Sequence, residues 1–185
     1  KAFRKPELTD LEQLDADIRA VFPTDRLITP DDVRGKHPTL YAAIQAGSWP
    51  TLANSAGKAL FIMHETGRNR VLYTEGHKSL EGRAMFVEST PGADHAAVLV
   101  LNNPSDPDIP KRVKEGYLVR TRADSRGSLS EERRQSALQS GAQVLTTDYP
   151  SGEVDANIAF GFPGNAPARV NPVNGPKDHG GKWIA

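Results

Sequence analysis

The sequence predicts an α/β fold in which parallel strands alternate with helices. Short continuous apolar runs occur at residues 59–63, 84–87, 117–119 and 144–145. Uninterrupted runs of this length are typical of strands buried on both faces, as in parallel sheets. Helical segments separate the later runs, and a chain that alternates helix with strand builds βα units.

Residues 1–57 are predicted to be a lead-in of helices and loops. Thr9 followed three residues later by Glu12 is a capping-box pattern. Thr29 before Pro30 repeats this logic, with a hydroxyl cap and proline at the first helical position. Helices are therefore expected over about 10–21, from Pro30, over 39–46 and from about 52.

Residues 58–150 are predicted to hold the βα units. Helices are expected over about 107–115 and about 129–140, each followed by a glycine. The run 96–101 fits either a strand or a short helix capped by Asp94. We favour the helix, because four strands then follow at regular intervals.

The remaining segment, 151–185, is rich in Gly, Pro and Asn and is predicted to form closing loops. At 185 residues the whole chain is interpreted as one domain. Lys plus Arg equals Asp plus Glu, at 23 each, so there is no net field to attract nucleic acid. The absence of cysteine excludes disulfides and zinc–thiolate sites.

The segment 117–124 gives the strongest functional signal. Arg120 and Arg122 are two apart on a predicted strand, so they project from the same face. Guanidinium groups bind phosphate and carboxylate oxygens bidentately. Because ligands lie beyond the carboxyl ends of parallel strands, these arginines are predicted to bind an anionic substrate. The alternative is that they pair with internal acids such as Asp124 or Asp148.

A second polar strand end follows the run 144–145. Asp148 is expected to share a face with Val144 and Thr146, where it could orient a histidine or accept from a hydroxyl. Tyr149 would stand at the rim, where its ring could stack on a sugar. The alternative is a plain turn, since Asp-Tyr-Pro-Ser-Gly is good turn chemistry.

Two earlier runs also end in polar residues. His64 and Glu65 follow the run 59–63 and could act as a metal ligand, a base or a hydroxyl contact. Glu88 and Ser89 follow Val87 in the same way. In each case the alternative is a strand end that reaches solvent.

Several motifs together resemble the calcium-dependent phosphoinositide-specific phospholipase C family of bacteria and fungi. The segments that resemble the C-terminal signature of that family are 116–124 (GYLVRTRAD), 133–134 (RR), 137–138 (AL), 140–143 (SGAQ) and 147–150 (TDYP). Further similar segments are 17–22 (DIRAVF), 28–35 (ITPDDVRG), 49–52 (WPTL), 79–83 (SLEGR), 85–87 (MFV) and 168–174 (ARVNPVN). Val170 departs from the pattern, which has cysteine there.

The resemblance implies the C-terminal portion of a TIM-type (β/α) barrel. Such a barrel needs about 250 residues, and the family's catalytic histidines and main calcium ligands lie on earlier strands. We therefore expect an N-terminal half of the same protein as a partner, since a half barrel would leave open sheet edges.

The same resemblance implies cleavage of the glycerol–phosphate bond of an inositol phospholipid, with Ca²⁺ as cofactor. It implies that Asp148 orients a histidine from outside this chain and that Glu65 contacts calcium. The substrate-binding residues would be Arg120, Arg122, Asp124 and Tyr149. Partners would be a phospholipid or inositol phosphate and, transiently, a membrane surface, in an extracellular or periplasmic location. The alternatives are a glycerophosphodiesterase-like hydrolase and a non-catalytic, anion-binding half barrel.

Overall fold

The computed structural model describes residues 4–125, 130–150, 159–162, 166, 168–177 and 183–184. The chain divides into two compact units, Lys1–Leu99 and Val100–Ala185, and both are mixed α/β with parallel strand pairs. The expectation of one domain over 1–185 stays a prediction. No helix in the described ranges has the length and apolar composition that crossing a bilayer requires.

The first unit begins with the helical lead-in that the sequence predicts, but the capping box of its first helix is formed by Glu7 and Asp10, so the predicted box of Thr9 and Glu12 is wrong. Thr29 and Thr39 cap their helices by accepting hydrogen bonds from the amides of Asp32 and Ala42. The elements in order are α1 (Leu8–Val21), α2 (Pro30–Arg34), α3 (Leu40–Gln45), α4 (Leu52–Ser55), β1 (Phe61–Met63), α5 (Arg68–Thr74) and β2 (Met85–Val87). The sequence did not predict α5, whose N-cap residue, Gly67, provides no side-chain cap.

Parallel pairing organises the strands of the first unit. β1 pairs with β2 so that Phe61 lies beside Met85 and Met63 beside Val87. A further parallel bridge joins Glu88 to Val98. All three residues of β2 are buried, as its continuous apolar run predicts.

The helix predicted over 96–101 is wrong, because residues Val98–Val100 form a strand, β3, at the boundary of the two units. Asp94 caps no helix, because the residues that follow it are not helical, and its carbonyl accepts from the amide of Tyr41. The Val98 carbonyl instead accepts from the amide of Ser89. A run buried on both faces suits a strand, and here this outweighs the capping signal.

A buried polar network joins α1 to α5 and to the start of β2. The Tyr73 hydroxyl donates to Asp15 and accepts from the Met85 amide at 3.0 Å. The Arg83 guanidinium lies 4.6 Å from the Tyr73 ring centroid and 3.5 Å from an Asp15 oxygen. Burial, followed by the hydrogen bond to Asp15, raises the pKa of Tyr73. Arg83, part of the 79–83 motif, thus has a structural role in this unit.

The second unit carries the βα pattern predicted for residues beyond 100. Its elements are α6 (Asp108–Lys114), β4 (Leu118–Arg122), α7 (Glu131–Gln139), β5 (Val144–Thr146), β6 (Ala168–Arg169) and β7 (Trp183–Ile184). Both predicted helices are present. The sequence did not predict the short antiparallel pair of β6 and β7. Of the closing loops predicted over 151–185, residues 151–158, 163–165, 167, 178–182 and 185 lie outside the described residues.

The side chain of Gln143 helps to fix the register of β4 and β5. Its Nε2 donates to the Tyr117 carbonyl at 3.0 Å, and its Oε1 accepts from the Val119 amide at 2.8 Å. The parallel pair then places Arg120 beside Val144 and Arg122 beside Thr146. A slip of one residue would turn both arginines to the opposite face.

The closing segment at 168–174 contacts the turn between α7 and β5. Asn171 Nδ2 donates to the Gly141 carbonyl at 2.7 Å, and Asn171 Oδ1 accepts from the Val173 amide at 2.8 Å. Gly141 has a φ of 81°, and a Cβ added there would lie 2.2 Å from Val173 Cγ2. This turn therefore depends on glycine both for its backbone conformation and for the close approach of Val173.

We expect Gly141→Ala to lower the free energy of unfolding by about 2–4 kcal/mol. Left-handed backbone and overpacking each cost on the order of 1–3 kcal/mol. Denaturant unfolding measures the change. Adding Val173→Ala should recover part of the loss, whereas Gly76→Ala, at a φ of 72° with open space around it, should show the backbone cost alone. Equal losses for Gly141→Ala and Gly76→Ala would contradict the contact with Val173.

Candidate functional site

The candidate site in the second unit is built on one face of β4. Val119 and Thr121 are fully buried, whereas Arg120 and Arg122 are partly exposed. This alternation confirms the predicted placement of the two arginines on a common face. The same face of β5 presents Val144, which is 37% exposed, and Thr146. The strand pair thus holds two guanidinium groups on a surface that is open to a ligand.

Asn102 orients two arginines at this surface. Arg120 Nη1 donates to its side-chain oxygen at 2.5 Å, and Arg133 Nη2 donates to its carbonyl at 2.6 Å. Arg133 lies in the first turn of α7, whose N-cap Ser130 accepts from the Arg133 amide. Because the helix after a parallel strand begins at the carboxyl end of that strand, Arg133 lies at the same end as the predicted site.

Arg133 is a candidate that sequence reasoning missed as a site residue. Its Nε is buried and has no hydrogen-bond partner among the described residues. A buried donor without a partner costs free energy, and a bound anion is one way to satisfy it. The sequence signal for this residue is the pair Arg133–Arg134 in the first half of α7, the helix that follows β4.

Arg122 differs from its neighbour on the strand. Within the described ranges its guanidinium makes no hydrogen bond and no ion pair, although the residue is partly buried. The alternative that it pairs with Asp124 is not what the structure shows. The partner of Asp124 is Arg134, at 3.1 Å.

Asp124 is a fully buried carboxylate with several donors around it. It accepts from Nε and Nη2 of Arg134, from the Thr147 hydroxyl at 2.9 Å and from the Asp148 amide at 2.9 Å. Its exposed fraction is 0%, so it does not reach the open face. Although the sequence suggested a substrate contact, the geometry gives Asp124 a positioning role for residues 147–149.

Asp148 and Tyr149 follow β5 in a bend that Asp124 holds. β5 ends at Thr146, so the expectation that Asp148 lies on the strand face is wrong. The amide of Asp148 bonds to Asp124 instead of continuing the ladder. The Asp148 side chain is exposed, and Tyr149 is partly exposed. The Tyr149 amide donates to Thr147 and its carbonyl accepts from the Phe160 amide at 2.8 Å.

A cavity of about 230 Å³ lies beside α7 in the second unit. Its lining includes Arg134, whose guanidinium is 5.6 Å from the Phe160 ring centroid. Neither Arg120 nor Arg122 lines it. The arginine of this cavity is already paired with Asp124, so the cavity is not the site that the sequence predicts.

Strand ends of the first unit hold the other predicted site residue. Glu65 is partly exposed, and its Oε1 accepts from the Gly67 amide at 2.7 Å. The preceding His64 pairs with Glu88 rather than with Glu65, with Nε2 and Oε2 3.1 Å apart. In the described part of the chain no three His, Asp or Glu side chains come together as a set that could hold a metal ion. These residues do not form a calcium site by themselves.

We expect Asp124→Ala to lower the free energy of unfolding by about 3–5 kcal/mol, because it leaves Arg134 without its buried partner. Chemical denaturation measures the change. The control is Asp108→Ala, which removes an acid whose side chain is 54% exposed from a 3.8 Å ion pair with Arg112, and it should cost less than about 1 kcal/mol. A loss for Asp124→Ala no larger than for Asp108→Ala would exclude the positioning role.

Comparison with known proteins agrees with this architecture. A family model described as phosphoinositide phospholipase C, Ca²⁺-dependent, matches residues 3–172. Among solved structures, a Ca²⁺-dependent phosphatidylinositol-specific phospholipase C enzyme from Streptomyces antibioticus is similar, with a TM-score of 0.59 and 20% sequence identity. The match covers 74% of this chain and 57% of that enzyme, and at this identity it shows the fold alone. No curated protein matches the chain significantly.

The family match covers nearly the whole sequence and includes both strand ends described above. The family and the similar enzyme are both described as calcium-dependent. The chain spans little more than half the length of that enzyme. From the extent of the family match, this chain belongs to the calcium-dependent phosphoinositide phospholipase C family.

Proposed function

We propose that this chain supplies the substrate-binding wall of a calcium-dependent phosphodiesterase that cleaves the glycerol–phosphate bond of an inositol phospholipid. The observation that carries the proposal is Arg122, a partly buried guanidinium without a partner among the described residues, beside the positioned Arg120. A family that acts on phosphodiesters gives such a group an evident ligand. Guanidinium groups match phosphate oxygens bidentately.

Each side chain would contribute binding or electrostatics. Arg122, with Arg120 beside it, would hold the phosphate and stabilise the charge that develops on its oxygens during cleavage. Asp148 would orient a catalytic histidine from outside this chain, because a carboxylate fixes the tautomer of the ring that it contacts. Tyr149 would pack against the inositol ring. Proton transfer is assigned to none of these four residues.

Positioning is what makes this wall suitable for catalysis. Asp124 holds the 147–149 bend, and Asn102 holds Arg120, so neither group needs to reorganise when the substrate binds. Fixed donors aimed at developing charge contribute more than mobile ones. Calcium would be held mainly by ligands outside this chain, with Glu65 as a contact from this chain.

The wider setting is also part of the proposal. The phospholipid substrate implies transient contact with a membrane surface, in an extracellular or periplasmic location, and an N-terminal half of the same protein completing a TIM-type barrel. The parallel strands of both units and their polar carboxyl ends support the barrel.

Arg122→Ala should weaken the binding of inositol 1-phosphate by about 10- to 100-fold, the worth of one charge-assisted bidentate contact. Titration calorimetry measures the affinity. The affinity of Arg122→Lys should lie between those of the wild type and Arg122→Ala, because an ammonium keeps the charge but lacks the planar fork of a guanidinium. The matched control Arg112→Ala removes the same charge from α6, where Arg112 pairs with Glu115, and should leave affinity unchanged. Equal losses of affinity in Arg122→Ala and Arg112→Ala, or a large drop in stability for Arg122→Ala, would refute the ligand role of Arg122.

With calcium present, the protein should release diacylglycerol and an inositol phosphate from phosphatidylinositol vesicles. A calcium chelator should abolish this release. Deacylated glycerophosphoinositol serves as the second substrate. Release of glycerol phosphate from it would instead favour a glycerophosphodiesterase. Inositol phosphate binding that depends on Arg122, without turnover of either substrate, would contradict the catalytic proposal and favour a non-catalytic anion-binding module.

A further inference from the structure

Asn102 is a neutral residue that holds two positive charges in the second unit. Its side-chain oxygen accepts from Arg120 Nη1 at 2.5 Å, and its carbonyl accepts from Arg133 Nη2 at 2.6 Å. Two guanidinium groups that donate to one residue lie within about 10 Å of each other, which is one Debye length at moderate ionic strength, so salt screens their repulsion only in part. Asn102 therefore brings two charges together without neutralising either.

Arg133 has no negative partner in the part of the chain that the structure describes. It forms no ion pair there, and its buried Nε has no hydrogen-bond partner. Glu131 and Glu132 share the first turn of α7 but are exposed, and Glu131 accepts from Gln135 at 2.7 Å instead. Because a buried donor without a partner costs free energy, one hydrogen bond to a carbonyl is a poor explanation for the position of Arg133.

The next residue, Arg134, shows how an arginine with a structural role is held in this unit. It donates from Nε and Nη2 to Asp124 at 3.3 and 3.1 Å, and both residues are buried. Arg133 differs because it is partly exposed and its hydrogen bond to Asn102 lies at the surface. Of these two adjacent arginines, Arg133 is the one that an anion from solvent can reach.

We infer that Arg133 binds the phosphate of the ligand as a third guanidinium of the substrate-binding wall, and that Asn102 positions it. Arg120 and Arg122 are the other two. Arg133 lies at the carboxyl end of β4, where Arg122 ends the strand. A phosphate group carries several acceptor oxygens, so it can bind more than one guanidinium. The identity of the ligand as an inositol phospholipid rests on the proposed function, whereas the anion chemistry does not.

The neutral side chain at position 102 determines how much positive charge this surface offers to a ligand. An aspartate there would accept the same hydrogen bond from Arg120 but would neutralise part of the charge that attracts an anion. An alanine would remove the acceptor for Arg120, while the carbonyl that holds Arg133 would remain. The aspartate substitution therefore separates the effect of charge from the effect of the hydrogen bond.

Titration calorimetry with inorganic phosphate, which carries no inositol, tests the inference. Arg133→Ala should weaken phosphate binding about 10-fold, the worth of one charged hydrogen bond. Asn102→Asp should weaken it without loss of stability, which a purely structural role of Asn102 would not produce. Arg112→Ala is the matched control, because Arg112 pairs with Glu115 on α6, and it should leave the affinity unchanged. Equal affinities of Arg133→Ala and Arg112→Ala, or unchanged phosphate binding in Asn102→Asp, would overturn the inference.

A measurement on the unaltered protein covers the case in which a variant does not fold. The ¹H–¹⁵N signal of the Arg133 Nε–H group, assigned through the carbons of its own side chain, should shift saturably as phosphate is added. The corresponding signal of Arg112 should stay in place. An Arg133 signal that does not respond to phosphate excludes the binding role.

The same titrations separate this inference from the proposed function. Unchanged phosphate binding in Arg122→Ala, together with a loss in Arg133→Ala, overturns the proposed role of Arg122 and still supports Arg133. A loss of affinity in Arg122→Ala without any loss in Arg133→Ala overturns the inference alone.

Discussion

The second unit depends on one buried carboxylate, Asp124. Burying a charge is costly unless it is paired and hydrogen-bonded, and Asp124 meets this condition with Arg134, the Thr147 hydroxyl and the Asp148 amide. These donors come from α7 and from the residues after β5. A single side chain at the end of β4 therefore joins three consecutive parts of the βα pattern at the edge where a ligand would bind.

Arg122 lies two residues before Asp124 and shows the opposite use of charge. The carboxylate of Asp124 pairs with Arg134 inside the fold, whereas Arg122 is partly exposed and forms no ion pair with the described residues. Both residues belong to the same sequence motif, which therefore holds a residue with a structural role, Asp124, beside one that we propose binds a ligand, Arg122. In the proposed role, the contacts of Asp124 and Asn102 would hold this surface in place before a substrate arrives.

Local signals in the sequence were sufficient for most helices and strands. Hydroxyl caps at Thr29 and Thr39 and the continuous apolar run of β2 each determine structure over a few residues. Residues 98–100 form a strand where a helix was predicted, because a short apolar run is compatible with both helical and strand periods. Pairing with neighbouring strands determines which of the two forms. The sequence does not predict α5, because its N-cap residue is a glycine and provides no side-chain capping signal.

The site could be predicted only in part, for a related reason. The common face of Arg120 and Arg122 follows from the two-residue period of a strand. The pairing of Asp124 with Arg134 and the contact of His64 with Glu88 depend on register and on helix placement, which no local pattern contains. Asp124 and Asp148 each lie two residues beyond a strand, so local sequence does not distinguish the buried aspartate, Asp124, from the exposed one, Asp148.

Asn102 has a consequence for how this surface can change over evolution or in the laboratory. Its side chain and its carbonyl each hold a different arginine, Arg120 and Arg133. Because the two arginines share Asn102 as a partner, the effects of changing them are not expected to add. The three residues form one coupled set, so a substitution at any of them should be interpreted together with the other two.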